Sequence, residues 1–139
     1  MIDVILDTNV LVAALLKKGG PNRAALRKVL DPRTPLQICY SSQMVSEYED
    51  VLTRHLIVSR GLSMQAKALL DIVLDEGDEI VPKYLPAIVY PDENDRPFLE
   101  AAVYVEGIIL TNNIKDYPYL GVSVVGPEEL LIWCDSQGF

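Results

Sequence analysis

Histidine and cysteine are almost missing from this sequence. One histidine, His55, and two cysteines, Cys39 and Cys134, stand among 139 residues. Together they fall one ligand short of a four-coordinate structural zinc site, and a two-histidine acid–base pair cannot be built at all. Positive charge is scarce too: 12 Lys and Arg face 20 Asp and Glu, for a net charge of −8. That balance argues against a protein that coats nucleic acid nonspecifically. No apolar run approaches the length of a membrane-spanning helix. No internal repeat, low-complexity tract or Gly/Ser linker divides the chain, so residues 1–139 read as one domain. Met1-Ile2-Asp3 puts no basic stretch ahead of its apolar run, so no secretory signal is expected. Both cysteines have apolar neighbours and read as buried free thiols of a cytoplasmic protein.

Half of the residues are apolar and 23% are charged, which is ordinary globular composition. A chain of this size buries about 68–70% of its unfolded surface, enough for a substantial core. Short apolar runs alternate with helical periods. Strands are expected at 2–6, 36–40, 79–81, 108–111 and 122–125. Helices are expected at 8–17, 21–30, 42–53, 64–75, 95–106 and 127–133, with Ser41 or Ser42 and Ser63 as caps. Residues 82–91 read as a Pro-bounded connector. Strands alternating with helices imply a three-layer α/β/α sandwich around a parallel sheet of four to five strands. Such sheets bind ligands at the C-terminal ends of their strands, near a switch in strand order.

Oxygen-bearing side chains concentrate at that edge. Asp7, Thr8 and Asn9 follow the first strand, Glu47 lies in the helix after the second, Asp92 and Asp95 open the helix before the fourth, and Asn113 and Asp116 follow the fourth. This is the donor chemistry of a hard divalent cation. Each acid also has a structural explanation. Asp7 and Asp95 stand where helix caps stand. Glu47 shares its helix with Glu49 and Asp50, which suits a solvated face, although Glu47 lies nearer the apolar side formed by Met44, Tyr48, Val51 and His55. Asp95 lies at the head of the inward stripe of Phe98, Leu99, Ala102 and Val105. Asp92, Asn113 and Asp116 suit turns.

Ile5-Leu6-Asp7-Thr8-Asn9-Val10-Leu11 resembles the opening motif of PIN-domain ribonucleases. Glu47 fits their second acid. Asp92-Glu93-Asn94-Asp95-Arg96-Pro97-Phe98-Leu99-Glu100-Ala101-Ala102 and Leu110-Thr111-Asn112-Asn113-Ile114-Lys115-Asp116-Tyr117-Pro118 resemble their third and fourth blocks. The resemblance implies a Mg²⁺- or Mn²⁺-dependent RNA endonuclease, of the kind found as VapC-type toxins of toxin–antitoxin pairs. It assigns metal-binding and catalytic roles to Asp7, Glu47 and Asp95. Thr8, Asn9, Asp92, Asn113 and Asp116 form the expected supporting shell. Many members carry Asp where this chain has Asn113. That departure leaves a second reading: a PIN-fold RNA-binding or regulatory module with little or no turnover.

RNA also needs cations. Residues 1–35 carry net charge +3 and residues 36–139 carry −11, so Lys17, Lys18, Arg23 and Arg27 are the expected RNA contacts, the alternative being a solvated helix with favourable C-terminal cations. The apolar run Leu130-Leu131-Ile132-Trp133 suggests partner surface beside ordinary core packing. A homodimer or higher homo-oligomer and an antitoxin protein are the partners the resemblance implies.

Overall fold

The computed structural model describes residues 1–85, 92–117 and 121–139. Most of the 82–91 connector, at 86–91, and Pro118 of the fourth block lie outside the described residues. The elements run β1 (Ile2–Leu6), α1 (Thr8–Leu16), α2 (Pro21–Leu30), β2 (Leu36–Tyr40), α3 (Ser42–Leu52), α4 (His55–Ser59), α5 (Ser63–Glu76), β3 (Asp78–Glu79), α6 (Arg96–Val105), β4 (Ile108–Leu110), β5 (Ser123–Val125) and α7 (Pro127–Gln137). The five strands form one sheet in the order β3-β2-β1-β4-β5, parallel throughout. Helices flank it as an α/β/α sandwich. From β1 the chain moves outward through β2 and β3. It then crosses to the other side of β1 for β4 and β5, so the strand order switches between β1 and β4.

Register decides what meets at that switch. Leu6 lies opposite Leu110, so the residues that follow, Asp7 and Thr111, leave the sheet side by side. Val4, Ile5, Leu6, Ile109 and Leu110 are fully buried, which is why these strands read as continuous apolar runs rather than alternating ones. Phe98, Leu99 and Ala102 of α6 and Met44, Tyr48 and Leu52 of α3 enter the same core. Each fully buried large side chain contributes about 1.5–3 kcal/mol. Cys39 and Cys134 are buried and unpaired, as expected.

Two backbone details hold the β1–β4 pairing. Glu106 ends α6 in the left-handed region at φ 54°, although Gly107 is the residue that reads as the stop. Gly107 is needed for closeness instead: a Cβ there would lie 2.3 Å from the carbonyl oxygen of Asp3 on β1.

The structure corrects several boundaries. Residues 55–59 form an extra helix, α4, and His55 is exposed at its start instead of extending the apolar face of α3. Ser41 caps α3, accepting from the Met44 N–H, but Ser63 is the first residue of α5 and closes no cap bond. β3 is two residues long and begins one residue before the expected 79–81; it pairs with Cys39 and Tyr40 at the C-terminal end of β2. α7 continues to Gln137. Among the described residues no helix is long and apolar enough to cross a membrane.

Candidate metal-binding and catalytic cleft

Asp7 stands at the N-cap position of α1 but makes no side-chain cap bond. Its carboxylate turns to the neighbouring strand end. Oδ2 accepts from the Thr111 hydroxyl at 2.7 Å, the Tyr117 hydroxyl at 3.2 Å and the Asn9 amide at 3.3 Å. Oδ1 accepts from no side chain among the described residues. Asp7 is only 8% exposed, and burial pushes its pKa up against the opposing pull of Thr111 and Tyr117. Burying a carboxylate is costly, and a plain cap gives no reason to bear that cost.

Asn9 extends the network along the edge. Its amide also donates to the Thr111 hydroxyl at 3.2 Å, and its Oδ1 accepts from the Asn112 N–H at 3.1 Å. Asn112 in turn donates to Asn22 at the head of α2, 2.7 Å away. The first turns of α1 and α2 and the loop after β4 are thereby tied together around Asp7. Underneath, the buried Tyr48 hydroxyl donates to the Leu6 carbonyl at 2.6 Å, which holds α3 against the end of β1. One residue earlier on α3, Glu47 accepts from the Thr8 hydroxyl. Glu47 therefore turns inward, while Glu49 and Asp50 remain exposed. Burial and the nearby charges of Asp7 and Asp92 raise its pKa, against the hydrogen bond from Thr8.

Asp95 likewise occupies an N-cap position without closing a cap bond. Asp92 does the capping, accepting from the Asn94 N–H at 2.9 Å at the start of a single 3₁₀ turn. Arg96 pairs with Glu93 at 2.6 Å across that turn. Asp95 is left facing the cleft, and its pKa is pushed up to about 6, first by burial and then by Asp7, Asp92, Asp116 and Glu47. Glu47 and Asp95 both have raised pKa values beside like charges, with Arg54 opposing at Glu47, a pattern that marks a functional site.

These side chains line one open cleft of about 470 Å³. Asp7, Thr8, Asn9, Glu47, Asp92, Asp95, Asn113 and Asp116 all border it, so every acid and amide expected at the sheet edge arrives there. Lys17, Lys18, Arg23 and Arg27 do not border it. Arg23 is half-buried and donates to the Ala14 carbonyl at 3.0 Å, clasping α2 to α1. The base that does border the cleft is Arg54, which is not among the expected RNA contacts. Thr111, Tyr117 and Asn94 were also not singled out. Arg54 gave no periodic signal, because it lies past the end of α3, at the N-cap position of α4. Tyr117 gave none either, because its contact with Asp7 spans 110 positions.

Do these groups fit a divalent cation? The donors are hard oxygens, and the cleft holds five carboxylates against one base. Among the described residues no three acidic, His or Cys side chains are gathered into a ready-made metal cage. Mg²⁺ does not require one. It keeps several waters and commonly takes one or two carboxylates directly, with the rest reached through water. The cleft fits that mode.

The sequence matches the PIN domain family over residues 3–115. This chain belongs to the PIN domain family. Members of the family are generally nucleases that use divalent metal ions. No curated protein matches the sequence closely enough to count as a relative. Among solved structures, the chain is similar to one in VapBC2 from Rickettsia felis bound to a DNA fragment from its promoter. That match has TM-score 0.62 and 19% identity, and covers 90% of this chain and 98% of that one. It is also similar to a chain of VapBC-1 from nontypeable Haemophilus influenzae, with TM-score 0.62, 10% identity, and 91% and 99% covered. A third likeness is to DNA-bound VapBC from Salmonella typhimurium, with TM-score 0.59, 15% identity, and 91% and 99% covered. At these identities the likenesses establish the PIN-type fold.

Proposed function

We propose that this PIN domain is a Mg²⁺- or Mn²⁺-dependent ribonuclease and the toxin of a toxin–antitoxin pair. The observation that carries the reading is the convergence of Asp7, Glu47, Asp92, Asp95 and Asp116 on one cleft at the β1/β4 switch. Asp7 and Asp95 would hold the ion, with Thr8, Asn9 and Asn113 supporting them. When bound, a divalent ion would offset phosphate charge and make water at the site easier to deprotonate. Thr111 and Tyr117 engage Oδ2 of Asp7 and so orient Oδ1 toward the cleft. Thr8 engages Oε2 of Glu47, leaving Oε1 to accept a proton from the attacking water. The water oxygen bonds to phosphorus as the bond from phosphorus to the 3′ oxygen breaks, and the departing 3′ oxygen takes a proton from solvent water, giving 5′-phosphate and 3′-hydroxyl ends.

The structural likeness to chains of VapBC assemblies supports an antitoxin partner. Ile132, 70% exposed on α7, supports partner surface there, and the proposed assembly is a homodimer or higher homo-oligomer in the cytoplasm. The test is cleavage of structured RNA with Mg²⁺ or Mn²⁺, compared with EDTA and with Asp7→Asn. Metal-dependent cleavage with 5′-phosphate ends, absent in the variant, is the expected result. RNA binding without cleavage in either metal would replace this reading with the inactive RNA-binding module that Asn113 suggests.

A further inference from the structure

A carboxylate cleft must still attract a polyanion. The five acids of this cleft repel RNA phosphate, and the bases expected to offset them lie elsewhere. Arg54 is the one base among the described residues that border the cleft. It stands in the turn between α3 and α4, two residues past Leu52, at the N-cap position of α4. Val51, one turn after Glu47 on α3, is also at the cleft wall, and with Val12 and Leu16 it gives the cleft an apolar flank where a ribose or base can rest.

The bond Arg54 now makes is a weak one. It pairs with Asp50 at 3.0 Å, with the two side chains 64% and 69% exposed. Exposed pairs of this kind contribute little and exchange readily. A phosphate oxygen pair offers the guanidinium a bidentate, charge-assisted partner instead. Building on the ribonuclease reading, we infer that Arg54 is the substrate-binding residue of the cleft, gripping an RNA phosphate next to the one that is cut. Its exposed position in the turn past the end of α3 makes it an affinity group rather than a participant in bond breaking. Its effect therefore falls on KM.

The experiment follows cleavage of a single-stranded RNA oligonucleotide with Mg²⁺. It also follows binding of the same oligonucleotide to the Asp7→Asn protein across a salt titration. Arg54→Gln is expected to raise KM about tenfold with kcat within about twofold. It should also flatten the slope of log affinity against log salt by about 0.7. Arg54→Lys should restore the slope and only part of KM, since ammonium keeps the charge and loses the fork. Asp50→Asn breaks the surface pair while keeping the base, and should leave KM unchanged or lower. The Mn²⁺-induced rise in melting temperature should be the same in wild type and Arg54→Gln. An unchanged KM and salt slope in Arg54→Gln, or an equal KM rise in Asp50→Asn, overturns the inference while wild-type cleavage keeps the ribonuclease reading. If the wild type cuts nothing, the ribonuclease reading falls, and the salt slope still decides whether Arg54 binds phosphate.

Discussion

The acidic edge between β1 and β4 and the basic helix α2 carry opposite charge and use it in opposite ways. On α2 and its flanks the cations are engaged with structure: Arg23 on the Ala14 carbonyl, Lys28 on the Phe139 carbonyl at 2.7 Å, and Arg33 on Asp31 at 2.8 Å. Arg27 and Lys28 also sit in the last turn of α2, where the helix dipole favours them. At the sheet edge the carboxylates crowd one another: burial raises the pKa of Asp7, and burial with like-charge repulsion raises those of Glu47 and Asp95. Charge that satisfies carbonyls stabilises the fold. Five acids gathered around a single base destabilise it and need another explanation, which a bound cation supplies.

Neutralising the edge should separate stability from activity most sharply. Asp7→Asn keeps an acceptor for Thr111 and Tyr117, so it should fold and melt higher than wild type in EDTA, while RNA cleavage falls at least about 100-fold. A melting temperature lower than wild type in EDTA would show that the charge at Asp7 is structural, and the contrast with α2 would vanish.

Supplying the counterion should come next in size. Mg²⁺ or Mn²⁺ at about 100 times its Kd stabilises by about 2.7 kcal/mol, which is roughly 5–10 °C for a chain of this size. Calorimetry should show that rise in wild type and lose most of it in Asp7→Asn. Ca²⁺, also a hard oxygen-seeking ion, should give part of it.

On the basic side, Arg23→Ala should cost about 1 kcal/mol in urea unfolding, because it removes a charge-assisted bond to a helix-end carbonyl. Arg27→Ala should stay within about 0.5 kcal/mol, since Arg27 is exposed. Equal effects would mean that α2 presents a uniform solvated charge face.

The smallest effect is a pH trend. Burial and the surrounding carboxylates push the Asp95 pKa up to about 6, above the ordinary carboxylate range, so the folded state holds the proton longer. In EDTA its contribution to stability is fully present below about pH 4 and is lost as pH rises toward and through 6. Asp95→Asn should flatten that segment of a melting-temperature profile. A profile that rises with pH in the variant and in wild type alike would place the dominant titration elsewhere.

Much of this was legible in one dimension. β1, β2, α2 and α6 appear in the sequence because largely buried strands are short apolar-rich runs, here broken only by Asp3 and Gln37, and because Gly20, Pro21 and the stripe from Phe98 to Val105 are local signals. Other features were not. α4 is five residues long and held by Ile57, whose burial depends on neighbours from other elements. Glu47 could not be separated firmly from Glu49 and Asp50 by helical angle, because the deciding contact is with Thr8, 39 residues away. Asp7 and Asp95 both matched the pattern of a cap, and only the missing cap bonds removed that explanation.

The amino-acid sequence by itself determined that strands would alternate with helices and that acids would follow the strands, since periodicity and strand ends are local properties. Only the tertiary structure decided which acids face one another, which tyrosine and threonine grip Asp7, and which arginine reaches the cleft. Those outcomes depend on strand order and on the register that sets Leu6 against Leu110, and register is a relation between distant segments that no single segment encodes.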